Sequence, residues 1–336
     1  MSAVMEVFLP VLLAIGLMLA NGVVLIYMLR KVLGHLHLRL GPMHVGPKGL
    51  LQTVADVLKL FSKEDVIPSG VDRWMYRLAP TVVFVPSLMA YAAIPFSETL
   101  RITRLETGLL FTFAVLSLVP LGMIMAGWAS ANKYALLGAM RAAAQQVAYE
   151  VPLLLSVIPV VMIVGSLDLA EIAAFQNGLW MGVVPRWFVF LLLPSFVIFL
   201  ISALCELNQT PFDMSEAESE LVAGVATEYS SMRFGLIFLA EFSNSFVISA
   251  LAVAVFFGGW TLPFVPESIT EPLAPVIFVL KTYIGIFVLM WIRGTLPRVR
   301  IDQLMNLGWK WLIPASLAWI MIVGVVVKLA APGRAA

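Results

Sequence analysis

The chain has 336 residues, of which 61% are hydrophobic and 12% charged, and its mean hydropathy of +0.98 excludes an ordinary soluble globular domain. With 21 basic residues against 20 acidic ones, there is no cationic surplus to suggest nucleic acid as a partner. The single cysteine, Cys205, rules out an internal disulfide and any iron–sulfur cluster held by this chain's own thiolates.

Eight apolar runs reach or approach the length needed to cross a hydrocarbon core of about 30 Å. They cover residues 7–29, 78–96, 108–128, 142–167, 187–204, 234–257, 274–291 and 311–329. An open sheet edge cannot be satisfied in lipid, so the expectation is an all-α integral membrane protein with eight transmembrane helices. No internal repeat or low-complexity linker divides it, and 1–336 reads as a single membrane domain. The N-terminus lacks a basic region followed by a small-residue cleavage site, so the first run reads as a retained span. Fifteen Lys and Arg residues fall in the loops after runs one, three, five and seven, five fall on the other side, and Lys281 lies inside run seven. The positive-inside rule then puts those loops in the cytoplasm and both termini outside.

The connection between runs one and two is the longest polar segment. Its first part, HLHLRLGPMHVGPKG, gathers all three histidines with Gly and Pro in a turn-rich stretch. No cysteine or carboxylate completes a metal-ligand spacing with His35, His37 and His44, and Lys48 does not directly follow the second glycine of a phosphate loop. In GLLQTVADVLKLFSKE, Leu50, Leu51, Val54, Val57, Leu58 and Phe61 recur at helical spacing, with Gln52, Asp56, Lys59 and Lys63 on the opposite stripe. That pattern predicts an amphipathic helix on the membrane surface. Interfacial anchoring is its plainest role, and Asp56 with Lys59 is readable as an ordinary i,i+3 pair.

Ionisable residues inside apolar runs are costly and usually face the protein interior or a hydrated path. Glu150 in run four, Glu241 in run six with Asn244 nearby, and Lys281 in run seven are of this kind. Capping or pairing with a neighbour is the plainer account of each.

Between runs five and six, Cys205–Arg233 reads CELNQTPFDMSEAESELVAGVATEYSSMR. It holds Glu206, Asp213, Glu216, Glu218, Glu220 and Glu228, and one basic residue, Arg233. Cys205 itself reads as a small apolar residue at a helix end. Thr210, Pro211 and Asp213 suit the N-cap, first position and capping-box carboxylate of a helix. Glu216 and Glu220, one turn apart, repel each other unless a proton is shared or water screens them. Coupled proton affinities of that kind suit a proton relay; a solvated polar face is the alternative. In the last loop, RGTLPRVRIDQLMNLGWK, Arg293, Arg298 and Arg300 accompany Asp302 and suit an acidic partner surface or anionic lipid.

Four segments carry a resemblance: RLGPMHVGPKGLLQTVADVLKLFSKE, SANKYALLGAMRAAAQQVAYEVP, NQTPFDMSEAESELVAGVATEYSSMRF and PRVRIDQLMNLGWK. With their order and the eight-run layout, they closely resemble the H subunit family of bacterial NADH-quinone oxidoreductase, the counterpart of mitochondrial complex I subunit 1. The resemblance covers essentially the whole chain. It implies a subunit that joins the peripheral electron-transfer arm to the proton-pumping membrane arm and forms the membrane side of the quinone chamber. It implies quinone, ubiquinone or menaquinone, as substrate, no cofactor bound by this chain alone, and FMN and iron–sulfur clusters in partner subunits. The implied partners are quinone-site and cluster-bearing peripheral subunits, small membrane subunits and antiporter-like subunits, in a bacterial inner membrane.

By matching motif, the resemblance puts Arg30, Arg39, Asp56, Lys59 and Glu64 near the chamber and its entrance. It puts Glu206, Asp213, Glu216, Glu218, Glu220, Glu228 and Glu150 on a hydrated acidic path toward the antiporter-like subunits, with Arg141 beside it and Glu241 further along. Lys281 joins this set as an intramembrane charge, and Arg293, Arg298 and Arg300 are expected at the peripheral arm. The chain departs from the family pattern at Leu29, where Glu is usual, at Gln209, where Arg is usual, at His37, where Gln is common, and at Thr53, where Pro is common. Competing readings are the equivalent anchor of a complex I-like enzyme with another electron donor, such as a membrane-bound hydrogenase, and a stand-alone ion-coupled transporter. No inverted repeat supports the transporter. A purely structural anchor leaves the carboxylates unexplained.

Overall fold

The computed structural model describes residues 3–180, 184–215, 218–263, 265 and 267–330. The described chain is helical apart from a two-residue antiparallel ribbon, β1 (Leu179–Trp180) with β2 (Val184–Pro185), and one isolated bridge between Pro95 and Arg101. Six stretches of helix are long and apolar enough to cross a membrane. They are α1 (Ala3–Leu36), α4 (Gly108–Leu116) continued by α5 (Val119–Ala129), α6 (Lys133–Val164), α11 (Ser231–Phe256), α12 (Glu267–Thr295), and α13 (Ile301–Asn306) continued into α14 (Ile313–Ala330). A π-helical turn, Leu307–Leu312, joins the last two. This is a helical membrane protein.

Two of the eight expected runs take a different form. Residues 78–96 become α3 (Arg73–Tyr91), which starts earlier on the polar side, at an Asp72 N-cap whose carboxylate accepts from the N–H groups of Trp74 and Met75, and ends at Tyr91. Residues 187–204 become α8 (Phe188–Leu191) and the 14-residue α9 (Leu193–Glu206), separated at Leu192, where φ −116° and ψ 44° leave the helical region. Among the described residues, short α-helices also form at α2 (Gln52–Ser62), α7 (Leu169–Phe175) and α10 (Glu218–Leu221), with 3-10 turns at Pro47–Gly49 and Gly224–Ala226.

α6 and α11 organise the bundle. α6 packs against α5, α9 and α14, and α11 against α3, α12 and α1. Helices in lipid gain little from hydrophobic exclusion and rely on close packing of small residues. Where α5 meets α6, Ala126, Ala129, Ala135 and Ala139 are fully buried, and a Cβ on Gly127 would sit 2.3 Å from that of Ala139. Gly138, on the same helix, lies against the carbonyl of Ser215 and the Cα of Gly224, each 3.0 Å from where its Cβ would be. That contact brings α6 directly onto the acidic segment.

Candidate functional site

The carboxylates gather where the end of α9 meets the middle of α6 and of α11. After Glu206 the described chain passes through turns as far as Ser215, and the next described helix is α10. The helix start expected at Thr210 and Pro211 is therefore absent, because neighbours take the backbone groups it would use. The Gln145 side-chain amide of α6 donates to the carbonyls of Cys205 (2.6 Å) and Phe212 (2.7 Å), and that of Gln146 to Glu206 (3.3 Å). The Val299 N–H of the last loop donates to the Pro211 carbonyl at 3.0 Å. Asp213 closes no capping box and instead accepts from Arg298 Nη2 at 3.2 Å.

Arginines meet three carboxylates of this region. Arg141 of α6 donates to Glu220 at 2.5 Å, Arg298 holds Asp213, and Arg293 at the end of α12 approaches Glu241 of α11 at 3.8 Å. The hydrogen bond and charge of Arg141 hold the Glu220 carboxyl below its ordinary range. Two of the three last-loop arginines thus pair with carboxylates on other elements. Arg300 is the most exposed of the three, paired with Asp302 at 3.2 Å, with the two side chains 80% and 62% exposed.

Glu206 and Asp213 are buried, each 8% exposed. Glu206 opens onto a cavity of about 20 Å³ that is also lined by Gln146, Asn208, Glu241 and Asn244. A second cavity of about 30 Å³ shares Met123, Asn208 and Glu241 with the first and reaches Ser215. Glu206 Oε2, Gln146 Oε1, Asn208 Oδ1 and Asn244 Oδ1 have no protein partner. Buried polar atoms without protein partners, around spaces of water size, are the setting in which proteins hold structural water. Glu150, half-buried on α6, is near enough for its charge to bear on Glu206.

Glu228 lines a separate pocket with Asn132 and Lys133. Its Oε1 accepts from Asn132 Nδ2 at 2.7 Å, while Asn132 Oδ1 caps α6 by accepting from the Tyr134 N–H. The Tyr76 hydroxyl donates to the Glu228 carbonyl at 2.6 Å, and burial raises the Tyr229 phenol above its usual range, keeping it neutral.

On the first connection, Arg30 pairs with Asp56, which also accepts from Gln52 Nε2 at 3.1 Å, so the expected Asp56–Lys59 pair gives way to a contact from α1. Arg39, Lys59 and Glu64 are exposed. Lys281 is not brought to the carboxylates. It lies at the C-terminal end of α11, where its ammonium donates to the carbonyls of Phe257 (2.8 Å), Gly259 (3.0 Å) and Thr261 (2.6 Å) and sits 4.7 Å from the Trp187 ring centre. Glu216 lies outside the described residues, and Glu218 is placed by its backbone on α10. Sequence reasoning passed over Gln145, Gln146, Asn132 and Asn208, whose signal is the amide itself: two adjacent glutamines inside an Ala-rich run need partners. Among the described residues, no group of three or more His, Cys, Asp and Glu side chains is placed to hold a metal ion.

Helices that cross the membrane, together with paired and enclosed carboxylates, define an integral membrane subunit with an internal acidic site. The NADH dehydrogenase family model matches residues 9–324, and the chain belongs to that family. It is similar to proteins named as the H subunit of NADH-quinone oxidoreductase. The one from Rhodospirillum centenum is 47% identical over 298 residues, 89% of this chain and 87% of the relative. That from Geobacillus kaustophilus is 48% identical over 302 residues (88% and 86%), and that from Dehalococcoides mccartyi 44% over 316 (94% and 85%).

Proposed function

We propose that this chain is the membrane subunit of a proton-translocating NADH-quinone oxidoreductase, and that it forms the membrane side of the quinone chamber and the start of the acidic path to antiporter-like subunits. The observation that carries the path is that Glu206 and Glu241, from different helices, line one water-sized cavity, and Glu241 also lines a second that reaches Ser215. A proton added or removed at one carboxylate alters the proton affinity of the next, so a charge change at the chamber can travel along such a chain. Glu150 and Glu228 extend it, and Glu218 lies on its α10 side. Arg141, Arg293 and Arg298 balance its charge, leaving Arg300 for the peripheral arm. Quinone is the substrate; FMN and iron–sulfur clusters belong to partner subunits and supply the electrons.

In this reading the chain crosses a bacterial inner membrane eight times, with α3 and the α8–α9 pair completing their crossings against neighbouring helices and both termini outside. α2 lies on the membrane surface near the chamber entrance, its Leu58 and Phe61 exposed, with Arg30, Arg39, Asp56, Lys59 and Glu64 around it. Gentle solubilisation, pull-down of this chain and analysis of what co-purifies test the assignment. Flavin, iron–sulfur proteins and antiporter-like subunits with NADH-quinone activity support it; a nickel–iron hydrogenase replaces the electron donor. In the assembled complex, Glu206→Gln or Glu228→Gln is expected to slow coupled quinone reduction. Wild-type rates and proton uptake in both variants would overturn the path.

A further inference from the structure

Arg233, the lone cation of the acidic segment, is left without a role by the ion pairs above. In the structure it leaves that segment and ties two others together. Its Nη2 donates to Asp65 of the α2–α3 connection at 2.7 Å, and its guanidinium carbon lies 5.3 Å from the centre of the Tyr76 ring. Tyr76 in turn stacks on Tyr229, with centroids 4.4 Å apart and planes 4° from parallel, and its hydroxyl donates to the Glu228 carbonyl. Beside this stack, Ser231 Oγ donates to the carbonyls of Leu60 (2.9 Å) and Lys63 (3.1 Å), and Ser230 Oγ accepts from the Val66 N–H at 3.1 Å. The end of α2 and the connection after it are therefore fastened to the start of α11 beside Tyr76, whose hydroxyl also holds the Glu228 carbonyl.

We infer that Arg233 is a positioning residue: through Asp65 and the Tyr76–Tyr229 stack it ties the placement of α2 to that of Glu228, and so lets the chamber entrance set the geometry of a carboxylate that extends the path. This rests on the reading of the acidic path given above. A planar guanidinium suits the position because it can pair with Asp65 at its edge while lying against an aromatic face. A displacement of α2 acts on Asp65 and on the carbonyls held by Ser231. The two contacts end on Arg233 and Ser231, in the short stretch that follows Glu228, whose carboxylate is held by Asn132.

The test uses the whole complex in native membranes with Arg233→Gln, Arg233→Lys, Tyr76→Phe and, as a reference for the path, Glu206→Gln. NADH oxidation with a water-soluble artificial acceptor reads assembly and the electron-input arm; quinone reduction and proton uptake read coupling. Arg233→Gln is expected to lower kcat for quinone about fivefold with KM within about twofold, because Arg233 acts on Glu228 rather than on quinone, while artificial-acceptor activity is kept. Arg233→Lys, which keeps the charge toward Asp65, is expected to recover at least half of the lost kcat. Tyr76→Phe keeps the stack and removes one hydrogen bond, and it is expected to lose about twofold. If Glu206→Gln impairs coupling while Arg233→Gln and Tyr76→Phe match wild type, the positioning role is wrong and the path stands. If all four match wild type, the path itself falls. A loss in Arg233→Gln that follows artificial-acceptor activity in proportion reduces Arg233 to an assembly contact and also overturns the proposal.

Discussion

Two regions along α11 solve the same problem in opposite ways. At its C-terminal end, Lys281 spends its donors on three carbonyls, and Gln176 of α7 accepts from the Phe188 and Gly258 N–H groups while donating to Ala254 and Val255. Asp168 both caps α7 and pairs with Arg101 at 3.1 Å. Away from that end, beside its middle, Glu206, Gln146, Asn208 and Asn244 keep unpartnered oxygens around small cavities. A fully satisfied polar knot is rigid; a half-satisfied one leaves polar atoms for water to meet. The comparison teaches that charge inside the membrane is not itself a sign of transport, since what separates Lys281 from Glu206 is whether every donor and acceptor is already used.

The largest effect is therefore expected at the closed end. Lys281→Met unpairs three carbonyls and Gln176→Leu removes a hub between α7, α8 and α11, each costing roughly 3 kcal/mol or more at about 1–3 kcal/mol per unpaired group. Neither variant should assemble to wild-type levels on a native gel of the membranes. An assembled, stable Lys281→Met complex with reduced proton uptake would break the comparison, returning Lys281 to the path.

In the open region the order of effects reverses, with function lost before stability. Glu206→Gln keeps the shape and the contact between Glu206 and Gln146, which uses the backbone, and removes only the titratable group. Coupled quinone reduction is expected to fall about tenfold, equivalent to ~1.4 kcal/mol on the barrier, with the thermal midpoint of the complex unchanged. A lowered midpoint with normal turnover would place Glu206 among structural residues.

A smaller effect is expected where the open region meets solvent. Glu220 sits below its ordinary pKa of 4.5 because Arg141 donates to it and carries the opposing charge. A depressed carboxyl contributes stability above its unfolded pKa and loses it only as pH falls through the lower, folded value. The Arg141–Glu220 pair is thus fully formed from pH 6 to 8. Glu220→Gln should change turnover by about twofold at most, with the same difference from wild type at pH 6 and pH 8. A difference that grows across that interval would mean that Glu220 titrates there and belongs with the enclosed carboxylates.

Much of this was legible in the chain itself, for physical reasons that also mark where reading stopped. Six of the eight apolar runs became long helices because an apolar run of that length satisfies its own backbone. The amphipathic stripe from Leu50 to Phe61 likewise became α2, because 3.6-residue periodicity is a local property. The turn after Glu206 was not legible. Thr210, Pro211 and Asp213 carry good local signals for a helix start, yet Gln145 and Val299, distant in sequence, take the carbonyls and Arg298 takes the carboxylate. The pairing of Arg293 and Arg298 was hidden for the same reason: a basic loop reads as outward-facing until its carboxylate partners are placed.

Arg300 then provides the most demanding comparison, because its effect on this chain should be the smallest. An ion pair as exposed as Arg300–Asp302 contributes about 0–1 kcal/mol, since both ends are well hydrated and salt screens them. Arg300→Ala should leave the folding of this subunit unchanged, unlike Arg298→Ala, which strips a buried Asp213 of its counter-ion. What Arg300→Ala can change is the grip on a partner. If the exposed arginine meets an acidic face of the peripheral arm, the arm should detach from Arg300→Ala membranes at lower salt than from wild type, as measured by the peripheral subunits left after graded salt washes. If detachment is identical while Arg298→Ala alone releases the arm, the last loop holds its partner through the placement of the acidic segment rather than by direct charge contact, and the two arginines exchange the roles that their exposure assigns them.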